Sequence, residues 1–157
     1  MPQATLRITI TSPYRDNKQN LSGQPVNSPR VLLGDDNATV LEVVSRMLFP
    51  EFEIVGAVRD GVSLVAEARR LNPDVMIVDI SMPGLGGIEA IRELKKQPFD
   101  PKVIFLSVYE DPSFVEEARA LGAMGYVLKS SADRDLIPAI HEALQGHFYQ
   151  SQSLQRR

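Results

Sequence analysis

The sequence predicts an α/β domain in which a parallel sheet is covered by helices on both faces. From Arg30 onward, short apolar runs alternate with segments of helical period, and several runs, such as DVMIVDI and KVIFLS, are apolar at consecutive positions. Uninterrupted apolar runs are expected of strands buried on both faces. Alternation of strand and helix with short connections then implies parallel neighbours joined by right-handed crossovers.

Five strands are expected, RVLLGD, FEIVGAV, DVMIVDI, KVIFLS and GYVLK, with five helices between and after them over roughly 37–48, 61–71, 87–96, 112–121 and 133–145. Each of the first three helices has an apolar stripe to bury: Val40, Val43, Val44 and Met47; then Leu64, Val65, Ala68 and Leu71; then Ile88, Ile91 and Leu94. Upstream, TSPYRDNKQNLSGQPVNSP has the Ser, Asn, Pro and Gly content of a flexible leader, while LRITITS alternates as a short strand does. The expected organisation is a leader over 1–29, a folded domain over 30–147 and a tail over 148–157. The tail's SQSLQRR is read as a frayed solvated terminus in preference to the remnant of a linker.

A chain of 157 residues has room for one domain with a sizeable core. Its 43% hydrophobic and 24% charged content is ordinary for a globular protein. No apolar run approaches the roughly 20 residues that cross a bilayer, and no signal-peptide pattern opens the chain, so no membrane partner and a cytoplasmic location are expected. Without Cys there is no thiolate chemistry, and His141 and His147 are too few for a typical zinc cage, so a metal must sit on oxygen. Arg7, Arg15 and Lys18 against Asp16 leave residues 1–28 at +2, Arg156 and Arg157 give 148–157 another +2, and the formal −3 therefore puts −7 on 29–147. That acidic body argues against a grip on a nucleic-acid backbone, which relies on Lys and Arg.

Sites in such sheets lie beyond the carboxyl ends of the strands. The first strand ends in Asp35 and Asp36, the third in Asp79, the fourth in Ser107 and the fifth in Lys129. Taken singly, an Asp there is most often a turn residue or a helix cap, and Ser and Lys are usually turn and solvated residues. Together they place three carboxylates, a hydroxyl and an ammonium on one edge. Clustered carboxylates repel one another, and a hard, oxygen-seeking ion such as Mg²⁺ suits them, with the Lys as a second positive charge.

Between Arg30 and Gly146 the sequence also resembles the receiver domains of bacterial response regulators. The resemblance rests on GDDN after the first strand, VDISMPGLGGIEAI around Asp79, FLS at the fourth strand and GYVLKS at the fifth, in the family's order and spacing. It implies a doubly wound, flavodoxin-like sheet of five strands in the order 2-1-3-4-5. It also implies that Asp79 is the phosphoacceptor, that Asp36 ligates Mg²⁺ directly and Asp35 through water, and that the Ser81 backbone carbonyl is a further ligand. Ser107 and Lys129 would contact the phosphoryl oxygens, and Tyr126 would turn into space that Ser107 vacates, gating the face of the fourth helix, fifth strand and fifth helix. Tyr126 is equally well read as a half-buried strand aromatic.

Such a domain is not an enzyme with external turnover, although it assists its own phosphorylation and dephosphorylation. Its expected partners are a sensor histidine kinase or phosphotransfer protein, a downstream protein or its own output domain, and a second copy on phosphorylation. The wording DISMPG and GYVLKS followed by AIHEALQGHFY is most like the LuxR-type class, which usually continues into a DNA-binding helix-turn-helix. The alternative to a stand-alone receiver is thus the receiver portion of such a regulator, and in either case this chain by itself is expected not to bind DNA. A haloacid dehalogenase-like phosphatase would want a second Asp where Ser81 stands, and an FMN binder would want a phosphate cradle where Asp35 and Asp36 would repel it. Pro83, Gly84, Gly86 and Gly87 shape the loop after Asp79. Many receivers follow the Lys with Pro, often in a cis peptide, whereas Ser130 stands here and would make a cis bond cost about 2.5–4 kcal/mol. Ser81 and Tyr109, two residues beyond Asp79 and Ser107, occupy positions that in the family influence how readily water attacks the acyl phosphate.

Overall fold

In the computed structural model, residues 28–155 are described, and the expected LRITITS strand and most of the expected leader lie outside them. Strands β1 (Arg30–Gly34), β2 (Glu53–Val58), β3 (Val75–Val78), β4 (Lys102–Ser107) and β5 (Gly125–Leu128) alternate with helices α1 (Ala38–Leu48), α2 (Gly61–Leu71), α3 (Gly87–Leu94) and α4 (Pro112–Ala120), and α5 (Ala132–Leu144) follows. Every pairing is parallel, and the sheet runs β2-β1-β3-β4-β5-β6. The core order matches the expected 2-1-3-4-5. A sixth strand, β6 (Tyr149–Gln150), extends it.

Alternation along each strand divides the core in two. Leu32, Met76, Val78, Phe105, Tyr126 and Leu128 point to the face covered by α2, α3 and α4, while Val31, Leu33, Ile77, Ile104, Leu106 and Val127 point to the face covered by α1 and α5. The apolar strand runs follow from this two-sided burial. Helix stripes meet the sheet largely as their periodicity requires, although α1 buries Val44 and Leu48 and leaves Val43 50% exposed. Each of the first two helices starts on a side-chain cap: Asn37 accepts from Thr39 N–H and Val40 N–H, and Asp60 from Ser63 N–H.

Both ends of the expected domain move outward. Ser28 is buried and the Glu53 N–H donates to the Pro29 carbonyl at 2.9 Å, so the packed residues reach ahead of Arg30 to Ser28 at least. The expected frayed tail is packed: β6 pairs with β5, helix α6 (Gln152–Gln155) follows, and Ser151 and Leu154 are buried. A two-residue strand carries no periodicity of its own, so its backbone pairing to β5 and one apolar side chain, Leu154, decide the outcome. Among the described residues no helix is long and apolar enough to cross a membrane.

Candidate functional site

The site forms at the carboxyl end of the sheet, between β1 and β3, where the chain's winding reverses. Backbone bonds set its depth: the Asp35 N–H donates to the Val58 carbonyl at 3.0 Å and the Asp79 N–H to the Gly34 carbonyl at 2.8 Å. Asp35 and Asp79 are therefore buried, whereas Asp36, one residue further along, is exposed. Neither Asp36 nor Asp79 serves as a helix cap, because Asn37 caps α1 and Gly86 precedes α3. One oxygen from each of Asp35, Asp36 and Asp79 lies within 4.8 Å of the others.

Lys129, at the end of β5, reaches across this cluster. Its Nζ lies 2.8 Å from Asp35 Oδ2 and 3.3 Å from Asp79 Oδ2. Burial, and then the adjacent Asp35 carboxylate, push the Asp79 carboxyl above the usual carboxylate range against the pull of Lys129. Burial draws the Lys129 ammonium down, but Asp35 and Asp79 together outweigh it and hold it above its ordinary value. One ammonium thus faces three carboxylates. Asp35 Oδ2 is buried and receives no well-aligned hydrogen bond besides its ion pair with Lys129. An all-oxygen donor set, short of positive charge and with a buried oxygen under-satisfied, fits a hard divalent cation.

The remaining expected residues, Ser81, Ser107 and Tyr126, converge on Tyr109. Ser107 is fully buried, and its Oγ accepts from the Tyr109 N–H at 3.0 Å. Ser81 is exposed; its N–H lies 3.4 Å from Asp79 Oδ1 and its Oγ 2.8 Å from the Tyr109 hydroxyl. Tyr109 stacks on Phe114 of α4, with ring centroids 4.7 Å apart. Tyr126 is fully buried rather than half-buried, and its hydroxyl donates to the Tyr109 carbonyl at 2.8 Å. The Lys129–Ser130 peptide is trans, and a 3₁₀ turn over Lys129–Ser131 takes the chain into α5.

The three loop glycines have different causes. Gly87 is required by space, since a Cβ there would meet the Asp79 carbonyl oxygen; Gly84 has φ 75°, a left-handed conformation that favours glycine. Gly86 has an ordinary extended backbone. Sequence reasoning missed Arg59, whose Nε and guanidinium donate to the Asp36 carbonyl at 3.1 and 2.9 Å and brace the loop after β1. Its place just beyond β2, on the same edge, was the available signal.

The family model for the response regulator receiver domain matches residues 31–141, well over half of the chain. The chain belongs to that family. This receiver domain is 38% identical over 125 residues to the transcriptional regulatory protein DegU of Brevibacillus brevis, covering 78% of this chain and 53% of DegU. It is 35% identical over 122 residues to the response regulator GacA of Pseudomonas viridiflava, covering 76% of this chain and 57% of GacA. The chain spans about half the length of the curated relatives it matches. Among solved structures it resembles a LuxR-family two-component response regulator from Aurantimonas sp. SI85-9A1, with a TM-score of 0.78 and 29% identity, covering 83% of this chain and 94% of that one. It is therefore a receiver domain of two-component response regulators, and it is similar in structure to one of the LuxR family.

Proposed function

We propose that Asp79 accepts a phosphoryl group from a histidine kinase or phosphotransfer protein, and that the modified site alters the surface offered to an output domain or downstream protein. The observation that carries this reading is Lys129 set between Asp35 and Asp79, beside a third carboxylate. An Asp79 carboxylate oxygen attacks phosphorus, the bond from phosphorus to the donor breaks, and the donor leaves with that electron pair, so that an acyl phosphate forms. Lys129 neutralises phosphoryl oxygens as charge moves between donor and acceptor, and Ser107 donates to one of them. Asp35, Asp36, Asp79 and the Ser81 carbonyl would hold Mg²⁺, which supplies further charge neutralisation on the phosphoryl oxygens when bound.

Nothing at the site favours turnover of an external substrate: the position two residues after Asp79 carries Ser81, whose hydroxyl is engaged by Tyr109. The chain's formal net charge of −3 also favours protein partners over DNA for this chain by itself. The test is intact mass after incubation with acetyl phosphate, with and without Mg²⁺, in the native chain and in Asp79→Asn. The expected result is a magnesium-dependent gain of one phosphoryl group that the variant lacks. A gain that survives the substitution, or none in the native chain, would overturn the assignment.

A further inference from the structure

The packed C-terminal segment lies outside the phosphoryl site, yet it is bonded to the strand that carries that site's residues. The Tyr149 N–H donates to the Met124 carbonyl and the Ser151 N–H to the Tyr126 carbonyl, both at 3.1 Å, which lays β6 along the edge of β5. In the other direction the Leu128 N–H donates to Ser151 Oγ at 3.0 Å, and the next residue is Lys129.

Behind this pairing sits a carboxylate that a solvated tail would not require. Asp135 of α5 is 1% exposed. Its Oδ1 accepts from the Tyr149 hydroxyl at 2.7 Å and its Oδ2 from the Ser131 hydroxyl at 2.8 Å, while Ser131 Oγ lies 3.3 Å from Ser151 Oγ. A buried carboxylate is costly unless hydrogen-bonded, so Tyr149 and Ser131 are tied to where they stand. Beyond it, Leu154 is 6% exposed and belongs to the apolar cluster of Tyr126, Leu128, Val115 and Ala118. The Arg119 guanidinium of α4 lies 3.8 Å above the Phe148 ring.

We propose that Tyr149–Gln155 is a regulatory strap, an occupant of the α4–β5 face drawn from the chain itself, whose docking is coupled to phosphorylation of Asp79 through the bonds of Ser151 to Tyr126 and Leu128. The inference rests on Asp79 as the phosphoacceptor. The strap grips β5 while the Tyr126 ring is buried and its hydroxyl is held by the Tyr109 carbonyl. The Ser107 hydroxyl also lies against the Tyr126 hydroxyl in this state, so a phosphoryl group that accepts from Ser107 fixes a neighbour of the inward ring and favours it. Strap and phosphoryl group therefore favour one state of Tyr126, and each must strengthen the other by the same factor. The surface that phosphorylation presents then includes the outer side of the strap, where Gln152, Ser153 and Gln155 are exposed.

The test is hydrogen exchange of the peptide covering residues 148–155 in the full chain, with Mg²⁺ and with or without acetyl phosphate. Intact mass is read on the same samples, and the native chain is compared with Asp79→Asn and Tyr149→Phe. Phosphorylation should slow exchange of that peptide by about 5-fold or more, the lower end of common couplings. Asp79→Asn should show no slowing. Tyr149→Phe, which removes one hydroxyl and keeps the ring, should speed exchange of the strap and lower the steady-state phosphorylated fraction. A phosphoryl gain with unchanged strap exchange, slowing that persists in Asp79→Asn, or a loosened strap with an unchanged phosphorylated fraction would overturn the strap alone. No phosphoryl gain in the native chain would overturn the phosphoacceptor assignment, and the strap with it.

Discussion

Asp79 and Lys129 have complementary electrostatic problems. Asp79 is 5% exposed and lies beside Asp35, so its ionised form is disfavoured by lost water and by a like charge, and one ammonium offsets only part of this. Because its carboxyl titrates above the ordinary range in the folded chain, its contribution to stability is present at acid pH, below the unfolded value. That contribution is lost as pH rises through the folded value. In metal-free protein at pH 7, Asp79→Asn should therefore be stabilising, by about 1 kcal/mol or more, the scale of a buried charge short of counter-ions. The advantage should shrink on acidification, as the native Asp79 protonates. Saturating Mg²⁺ should reverse the order. An ion bound at the proposed site would stabilise the native chain by about 2.7 kcal/mol at a hundred times its Kd, and the variant lacks one of the proposed ligands. Urea unfolding at pH 5 and 7, with EDTA or with Mg²⁺, checks all three statements; an Asp79→Asn chain less stable than native in EDTA at pH 7 would count against them.

At the scale of elements, the site is an arrangement of strand ends, and one tight tolerance lies where α3 begins. Gly87 sits against the end of β3: a Cβ there would meet the Asp79 carbonyl oxygen and would approach Val78 Cγ1 to 2.8 Å. Gly87→Ala forces the helix or the strand to move, at a cost of about 1–3 kcal/mol for overpacking. Because the displaced residue is the proposed nucleophile, initial phosphorylation by acetyl phosphate should fall on the order of 10-fold or more. Urea unfolding and the rate of phosphoryl mass gain measure the two effects separately. Much of this arrangement was legible in the sequence. Strands buried on both faces write themselves as unbroken apolar runs, and a parallel sheet gathers their last residues, so Asp35, Asp36, Asp79 and Lys129 came together as expected. The strap was not legible, because two residues of backbone pairing leave no pattern. The partners that hold it, Asp135 and Tyr149, are 14 positions apart with nothing local to join them. Arg59 escaped for a related reason: it acts on a backbone carbonyl, which leaves no mark on side-chain identity.

Across the whole molecule, the question is how a change at the sheet edge reaches the helices that partners meet. The connection is continuous: Ser81 meets the Tyr109 hydroxyl, Tyr109 stacks on Phe114 of α4, and the Tyr109 carbonyl accepts from Tyr126, whose own carbonyl receives the strap. Physical continuity alone does not make a pathway; coupling requires an element with two states that both ends bias. Tyr126 is that element in the proposed mechanism, and its hydroxyl is the part specific to the inward state. Tyr126→Phe keeps the buried ring and removes the hydrogen bond to the Tyr109 carbonyl, at a stability cost of about 0.5–1.5 kcal/mol, whereas Tyr126→Ala also opens a cavity at about 3–5 kcal/mol. The phenylalanine variant is therefore the informative one. It should still take up a phosphoryl group, because the hydroxyl touches neither Asp79 nor Lys129. Its phosphorylation-induced amide shifts in Phe114 and Val115 should shrink well below those of the native chain, since the ring is no longer tied to the Tyr109 carbonyl that leads into α4. Two-dimensional NMR before and after acetyl phosphate reads those shifts directly. Native-sized shifts in Tyr126→Phe would place the two-state element elsewhere, with the Tyr109–Phe114 stack as the next element to substitute.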